Sequence, residues 1–124
     1  MDKKDRYALY AGSVYPGWWG ILDKYIPQIL ASAPDAEFYI KEKLGLLRLG
    51  ALSKATGRLV LFEIQKAAEE ESSFVCECCG APGKLRTDRE WMQTLCDRCN
   101  GADSDSLKAV IQETESKWLA EDCL

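Results

Sequence analysis

Hydrophobic and polar positions follow two rhythms along the chain, and these set the expected elements. Over residues 18–31, Trp18, Ile21, Leu22, Tyr25, Ile26, Ile29 and Leu30 recur at three-and-four spacing, which predicts a helix with one buried face. Tyr15-Pro-Gly-Trp-Trp reads as the turn into it. Pro27 removes an amide donor and crowds the preceding turn, so a kink or break is expected near Tyr25 and Ile26. Further on, Phe38 and Ile40, then Leu47 and Leu49, alternate with polar neighbours on either side of Gly45. That rhythm predicts two short strands around a turn near Leu44 and Gly45. The Lys, Glu and Leu content of the same stretch also fits a helix. After Thr56-Gly57 a helix is expected over roughly 58–72, with Leu59, Phe62, Ile64, Lys66 and Ala67 on one side and Glu69, Glu70 and Glu71 at a solvated end. Asp103-Ser-Asp-Ser106 can cap a last helix, 107 to about 120, with Leu107, Val110, Ile111, Thr114 and Trp118 on one face.

A chain of 124 residues that is 47% hydrophobic can bury a core of its own. No apolar run approaches the roughly 20 residues that span a bilayer. The charged N-terminus is not followed by a continuous apolar stretch with a small-residue cleavage site, so no signal peptide is expected. A cytoplasmic setting follows, in which six cysteines point to metal or free thiol before disulfide. The net charge of −4 disfavours broad electrostatic binding to nucleic acid, although Lys41, Lys43, Arg48, Lys54 and Arg58 form a locally basic segment. The chain contains no histidine, which removes the Ser–His and Cys–His nucleophile systems and the His-dependent metal nucleases. No Gly-rich phosphate-binding pattern is present. Paired carboxylates such as Glu37 and Glu42, or Glu69 and Glu70, read as solvated faces before they read as an acid–base pair.

The chemistry concentrates in the cysteines. Cys76-Glu-Cys-Cys79-Gly80 is followed, after sixteen residues counted from Cys79, by Cys96-Asp-Arg-Cys99. Two Cys-x-x-Cys pairs at this separation predict a tetrahedral zinc site of Cys76, Cys79, Cys96 and Cys99. Two intervening residues let the chain turn so that both sulfurs reach one ion at about 2.3 Å. Gly80 can take the positive φ of such a knuckle. The second pair suits the first turn of a helix, where free N–H groups favour thiolate charge. A hairpin over 84–91 between the pairs completes a treble-clef or zinc-ribbon arrangement. Iron–sulfur and disulfide alternatives also fit four cysteines but suit the paired knuckles and the expected compartment less well. Cys78 is a fifth thiol in the knuckle, expected to point away from the ion; ligand swapping or redox sensing is its alternative role. Cys123 is expected to be an unbonded thiol. With four thiolates around it, zinc has no open position, so its role is to fold a segment whose own apolar residues are few: Leu85, Trp91, Met92 and Leu95.

Three stretches carry a family resemblance: Ile40-Lys-Glu-Lys-Leu-Gly-Leu-Leu-Arg48, Cys76-x-x-Cys-Gly-x-Pro-Gly-x-Leu-Arg86 and Trp91-x-x-Thr-Leu-Cys-Asp-x-Cys99. In this order, after Trp18 and Trp19, they resemble a group of small bacterial and phage proteins over roughly residues 15–100. Leu44 stands where that group usually has Phe, and Cys99 where it can have His. The resemblance implies zinc, an αββα order and a phage or mobile-element setting; it implies no activity.

The expected architecture is therefore α+β: an N-terminal helix, a short β-hairpin, a helix, then a C-terminal treble-clef or zinc-ribbon segment and a final helix. Residues 1–75 form a small α+β region, and 76–124 the zinc segment with its helix, packed together as one domain. The expected function is non-catalytic: a zinc-stabilised module that binds another protein, as a phage or mobile-element inhibitor or regulator. The alternative is a nucleic-acid-binding accessory using residues 41–48 with Lys84, Arg86 and Arg89, whose charges otherwise serve solubility. A thiol redox sensor is a third class. Trp18, Trp19 and Trp91 are expected mainly in the core. Trp18 and Trp19 lie about 100° apart on a helix, so one of them can face solvent as an interface anchor.

Overall fold

The computed structural model describes residues 2–120. It is α+β, with helices α1 (Lys3–Ala11), α2 (Trp19–Ser32), α3 (Phe62–Ser72), α4 (Asp97–Asn100) and α5 (Ser104–Ala120). Two antiparallel hairpins accompany them: β1 (Ala36–Lys43) with β2 (Leu46–Ser53), and β3 (Lys84–Arg86) with β4 (Gln93–Leu95). Among the described residues, no helix is long and apolar enough to cross a membrane. Cys123 lies outside the described residues.

Helix α1 lies outside the predicted set. Asp2 caps it by accepting from the Asp5 N–H at 2.8 Å. Its inward face is aromatic: Tyr7 and Tyr10 are buried, and Tyr7 stacks on Trp19 with ring centroids 5.2 Å apart. The two phenols donate to the two oxygens of Asp23 on α2 at 2.8 and 3.0 Å. Burial and this carboxylate push both phenols above their ordinary range.

A 3-10 turn, Pro16–Trp18, leads into α2, which continues through Pro27 to Ser32. The predicted break at Tyr25 and Ile26 does not occur. Leu22, Ile26 and Ile29 are buried across the proline, and this packing holds the helix together where one hydrogen bond is missing. Gln28 Nε2 donates to the Lys24 carbonyl beside it at 2.9 Å. Trp18 and Trp19 are both buried, so neither is the exposed anchor anticipated; the 3-10 turn before Trp19 lets both rings reach the core.

The β1–β2 hairpin has the predicted two-residue turn. Leu44 (φ 55°) and Gly45 (φ 82°) both take positive φ, the requirement of the tight turn that matches strand twist. Leu44 is strained there, and two contacts hold the turn: Gly45 N–H donates to Glu42 Oε2 at 2.7 Å, and Thr94 Oγ1 donates to the Gly45 carbonyl at 2.7 Å. Phe38, Ile40, Leu47, Leu49 and Ala51 form the face packed against the main core.

Helix α3 starts at Phe62, later than the pattern implied. The residues before it continue alongside β2: Leu59 bridges Leu52, and Val60 N–H donates to the Ala51 carbonyl. Leu61 then turns the chain through the left-handed region (φ 53°). The buried face is therefore Gln65, Ala68 and Ser72 flanked by Leu61 and Ile64, while Leu59 and Phe62 are exposed. Gln65 and Ser72 cover the outer edge of β2. Leu47 N–H donates to Ser72 Oγ at 2.9 Å, and Ser72 Oγ donates in turn to the Glu69 carbonyl at 2.6 Å. Gln65 Nε2 reaches the Ala51 and Val60 carbonyls. Two polar side chains thus add to the Leu59–Val60 pairing along this strand edge.

Candidate metal centre

The first cysteine pair sits at the tip of a narrow turn. Val75 bridges Pro82, Cys76 N–H donates to the Ala81 carbonyl at 2.8 Å, and Gly83 N–H to the Phe74 carbonyl at 2.9 Å. Gly80 closes the turn at φ 83°, and its N–H donates to the Cys76 carbonyl. The second pair follows β4. Cys96 is the N-cap of α4, its sulfur accepting from the Cys99 N–H at 3.4 Å. The intervening hairpin runs on to Leu95, past the predicted end at Trp91.

These two units bring the sulfurs of Cys76, Cys79, Cys96 and Cys99 within 4.8 Å of one another, a set able to hold a metal ion. The Cys79 and Cys96 sulfurs are 3.7 Å apart. A tetrahedral ion with sulfur ligands at about 2.3 Å has an edge of about 3.8 Å. A disulfide needs about 2.05 Å, and a four-iron cluster spreads its thiolates wider because each binds a different iron.

The electrostatics of the four sulfurs also fit a cation. The Cys78 thiol, then the amides of Cys96, Cys79 and Cys78, donate to Cys76 and hold it below the ordinary thiol range. Burial and the negative charge on Cys76 push Cys79 and Cys99 upward. Four thiolates cannot ionise together here without a positive charge among them. Arg98 lies beside the Cys79 sulfur. Cys78 is fully buried and its sulfur is outside the four; it packs with Leu95 and points its thiol at Cys76.

Hydrogen bonds tie this segment to the rest of the chain. Gly17 N–H donates to the Glu77 carbonyl at 2.8 Å, and Trp18 Nε1 to the Val75 carbonyl at 2.8 Å. Thr94 binds Gly45, as above, and Trp118 Nε1 donates to the Pro16 carbonyl at 3.2 Å. The approach at Gly17 is so close that a Cβ would sit 2.1 Å from the Cys76 carbonyl oxygen. Leu107, Val110 and Ile111 of α5, expected on one face of that helix, pack against the cysteine cluster.

The arginines of the anticipated basic surface are engaged internally. Arg48 pairs with Glu69, and Arg86 binds the Leu95 carbonyl and Asp97. Arg89 binds Gln93 and Asn100. Trp91 is the exposed tryptophan, at 65%. Glu77 and Gln93 had no signal in the sequence. Glu77 is buried, accepts from Gln93 Nε2 at 2.6 Å, and is pushed up to about 7 by that burial, against the hydrogen bond from Gln93. Comparisons with protein-family models, curated proteins and solved structures found no match to this chain.

Proposed function

We propose that Cys76, Cys79, Cys96 and Cys99 hold one structural zinc ion in a treble-clef-like segment, and that the protein is a non-catalytic module that binds another protein. The observation that carries this reading is the four-sulfur cluster itself. Four thiolates complete the coordination of zinc and leave no position for water or substrate. The ion would then act by fixing the knuckle, the small hairpin and α4, which together bury little apolar surface. A rigid scaffold with an exposed Trp91 and, beside it, a half-exposed Tyr15 is suited to protein recognition, where aromatic anchors dominate. On the resemblance noted in the sequence, such a module would work in a phage or mobile-element setting, as an inhibitor or regulator of a host or phage protein.

A second reading, a nucleic-acid accessory, draws on a hollow of about 300 Å³ on the outer face of the β1–β2 hairpin. Exposed Tyr39 and Phe62 flank it with Lys41 and Lys66, a combination suited to stacking bases and contacting phosphate. The two readings separate in one experiment. Zinc-loaded protein and its Trp91→Ala variant are used as bait in extract from the native host, with and without nuclease. The protein-binding reading expects a partner that survives nuclease and is lost with Trp91→Ala. A bound fraction that is nuclease-sensitive and indifferent to Trp91 would overturn it.

A further inference from the structure

A cavity of about 310 Å³ lies between the end of α1 and the metal segment. Its walls include Ala11, Val14, Tyr15, Glu42, Glu77 and Trp91. We propose that it receives a guanidinium group, the side chain of an arginine presented by the partner protein. The inference rests on the protein-binding reading and specifies what the partner must present.

Three features of the cavity converge on a planar cation. Glu77 is 3% exposed, and only its Oε1 accepts a hydrogen bond among the described residues, from Gln93. No described residue donates to its Oε2, and Glu77 lines the cavity. Glu42 supplies a second carboxylate: Oε2 is occupied by Gly45 N–H, and no described residue donates to Oε1. Two acceptors on different walls match the fork of a guanidinium better than the point charge of an ammonium.

The remaining walls agree. Trp91 and Tyr15 offer aromatic surface on which a guanidinium can stack. Ala11 is the last residue of α1 and Gly12 its C-cap, so the cavity lies against a helix C-terminus, which carries partial negative charge. Arg89 is the opposing charge in the neighbourhood of Glu77; its guanidinium is held by Gln93 and Asn100 and does not line the cavity. A second hollow shares Tyr15, Trp91 and Gln93 with the first and is floored by Leu107 and Ile111 of α5. The partner chain would cross the Trp91 ridge, with arginine on one side and an apolar residue on the other.

The test follows the Trp91 indole N–H by NMR in the metal-loaded protein as N-acetyl-arginine methylamide is added, with the citrulline analogue as the neutral control of the same shape. Saturable shifts with arginine are expected, with affinity on the order of 1 mM for so small a probe, and at least ten-fold weaker binding of citrulline. Glu42→Gln should weaken arginine binding several-fold, and Glu77→Gln more. Glu42 is exposed, so its variant tests the idea even if Glu77→Gln fails to fold. Equal binding of arginine and citrulline, no binding of either, or an unchanged affinity in Glu42→Gln would overturn the proposal. Metal content is measured on the same sample. A metal-loaded protein that ignores arginine sinks only this inference, whereas a metal-free native protein sinks the zinc scaffold beneath it.

Discussion

Gly17→Ala tests how the metal segment is tied to the helical half. A Cβ at this position would meet the Cys76 carbonyl oxygen at 2.1 Å and Glu77 backbone atoms at 2.5 Å, where real Cβ contacts stay above 3.0 Å. Every obstructing atom is backbone, so no side chain can rotate away. Relief requires the turn Pro16–Trp18 to withdraw from the knuckle by about 1 Å in a close-packed interior. Such a shift stretches the 2.8 Å hydrogen bond from Gly17 N–H to the Glu77 carbonyl beyond useful range. Overpacking together with the lost bond costs about 3 kcal/mol, or roughly 10 °C in Tm. Urea unfolding at saturating zinc, followed by tryptophan fluorescence, reads the effect as a lower midpoint. Gly12→Ala is the control, because its Cβ would meet nothing closer than 3.6 Å at an ordinary negative φ. Stability within about 0.5 kcal/mol of wild type for Gly17→Ala would refute the account of this junction.

Other outcomes follow from the same geometry. Cys79→Ser or Cys96→Ser should lose the metal and destabilise the fold, whereas Cys78→Ser should retain about one ion per chain, measured by elemental analysis of the purified variants. Ser72→Ala strands the Leu47 N–H in a buried site and should cost about 1–3 kcal/mol in chemical denaturation; an unchanged midpoint would mean that α3 does not cap the β2 edge as described. A metal bound by the four cysteines would hold their thiolates below their free pKa values, so its stabilisation would be present at neutral pH and lost as pH falls through the metal-bound values. Acid titration should therefore release metal and loosen residues 76–100 together, read by a chromogenic chelator alongside circular dichroism.

The legible parts of this molecule are those set by short-range geometry. Two residues between cysteines dictate a knuckle wherever it occurs, and alternation around Leu44 and Gly45 dictates a hairpin because a one-residue slip would turn Leu47 and Leu49 outward. The α-β-β-α order of α2, β1, β2 and α3 was expected on the same grounds. Features that depend on distant partners were not legible. Helix α1 hides its buried face in two tyrosines whose hydroxyls are satisfied by Asp23, thirteen and sixteen residues away. The start of α3 moved because the Ala51 carbonyl claims the Val60 N–H, and its inner face is polar because Gln65 and Ser72 complete a strand edge. Trp91 is exposed where a core position was expected, and neither Trp18 nor Trp19 faces solvent, for a similar reason. Trp18 has the Val75 carbonyl as a partner inside the fold, while Trp91 sits beyond the short β3–β4 ladder, where little packs over it.

Native mass spectrometry of freshly purified protein, paired with elemental analysis, reads the occupancy of the cysteine cluster directly. The proposed site requires a mass increment of one zinc per chain, with four protons displaced and no sulfur–sulfur bond formed. A metal-free chain, or one lighter by two hydrogens per cysteine pair, would contradict it.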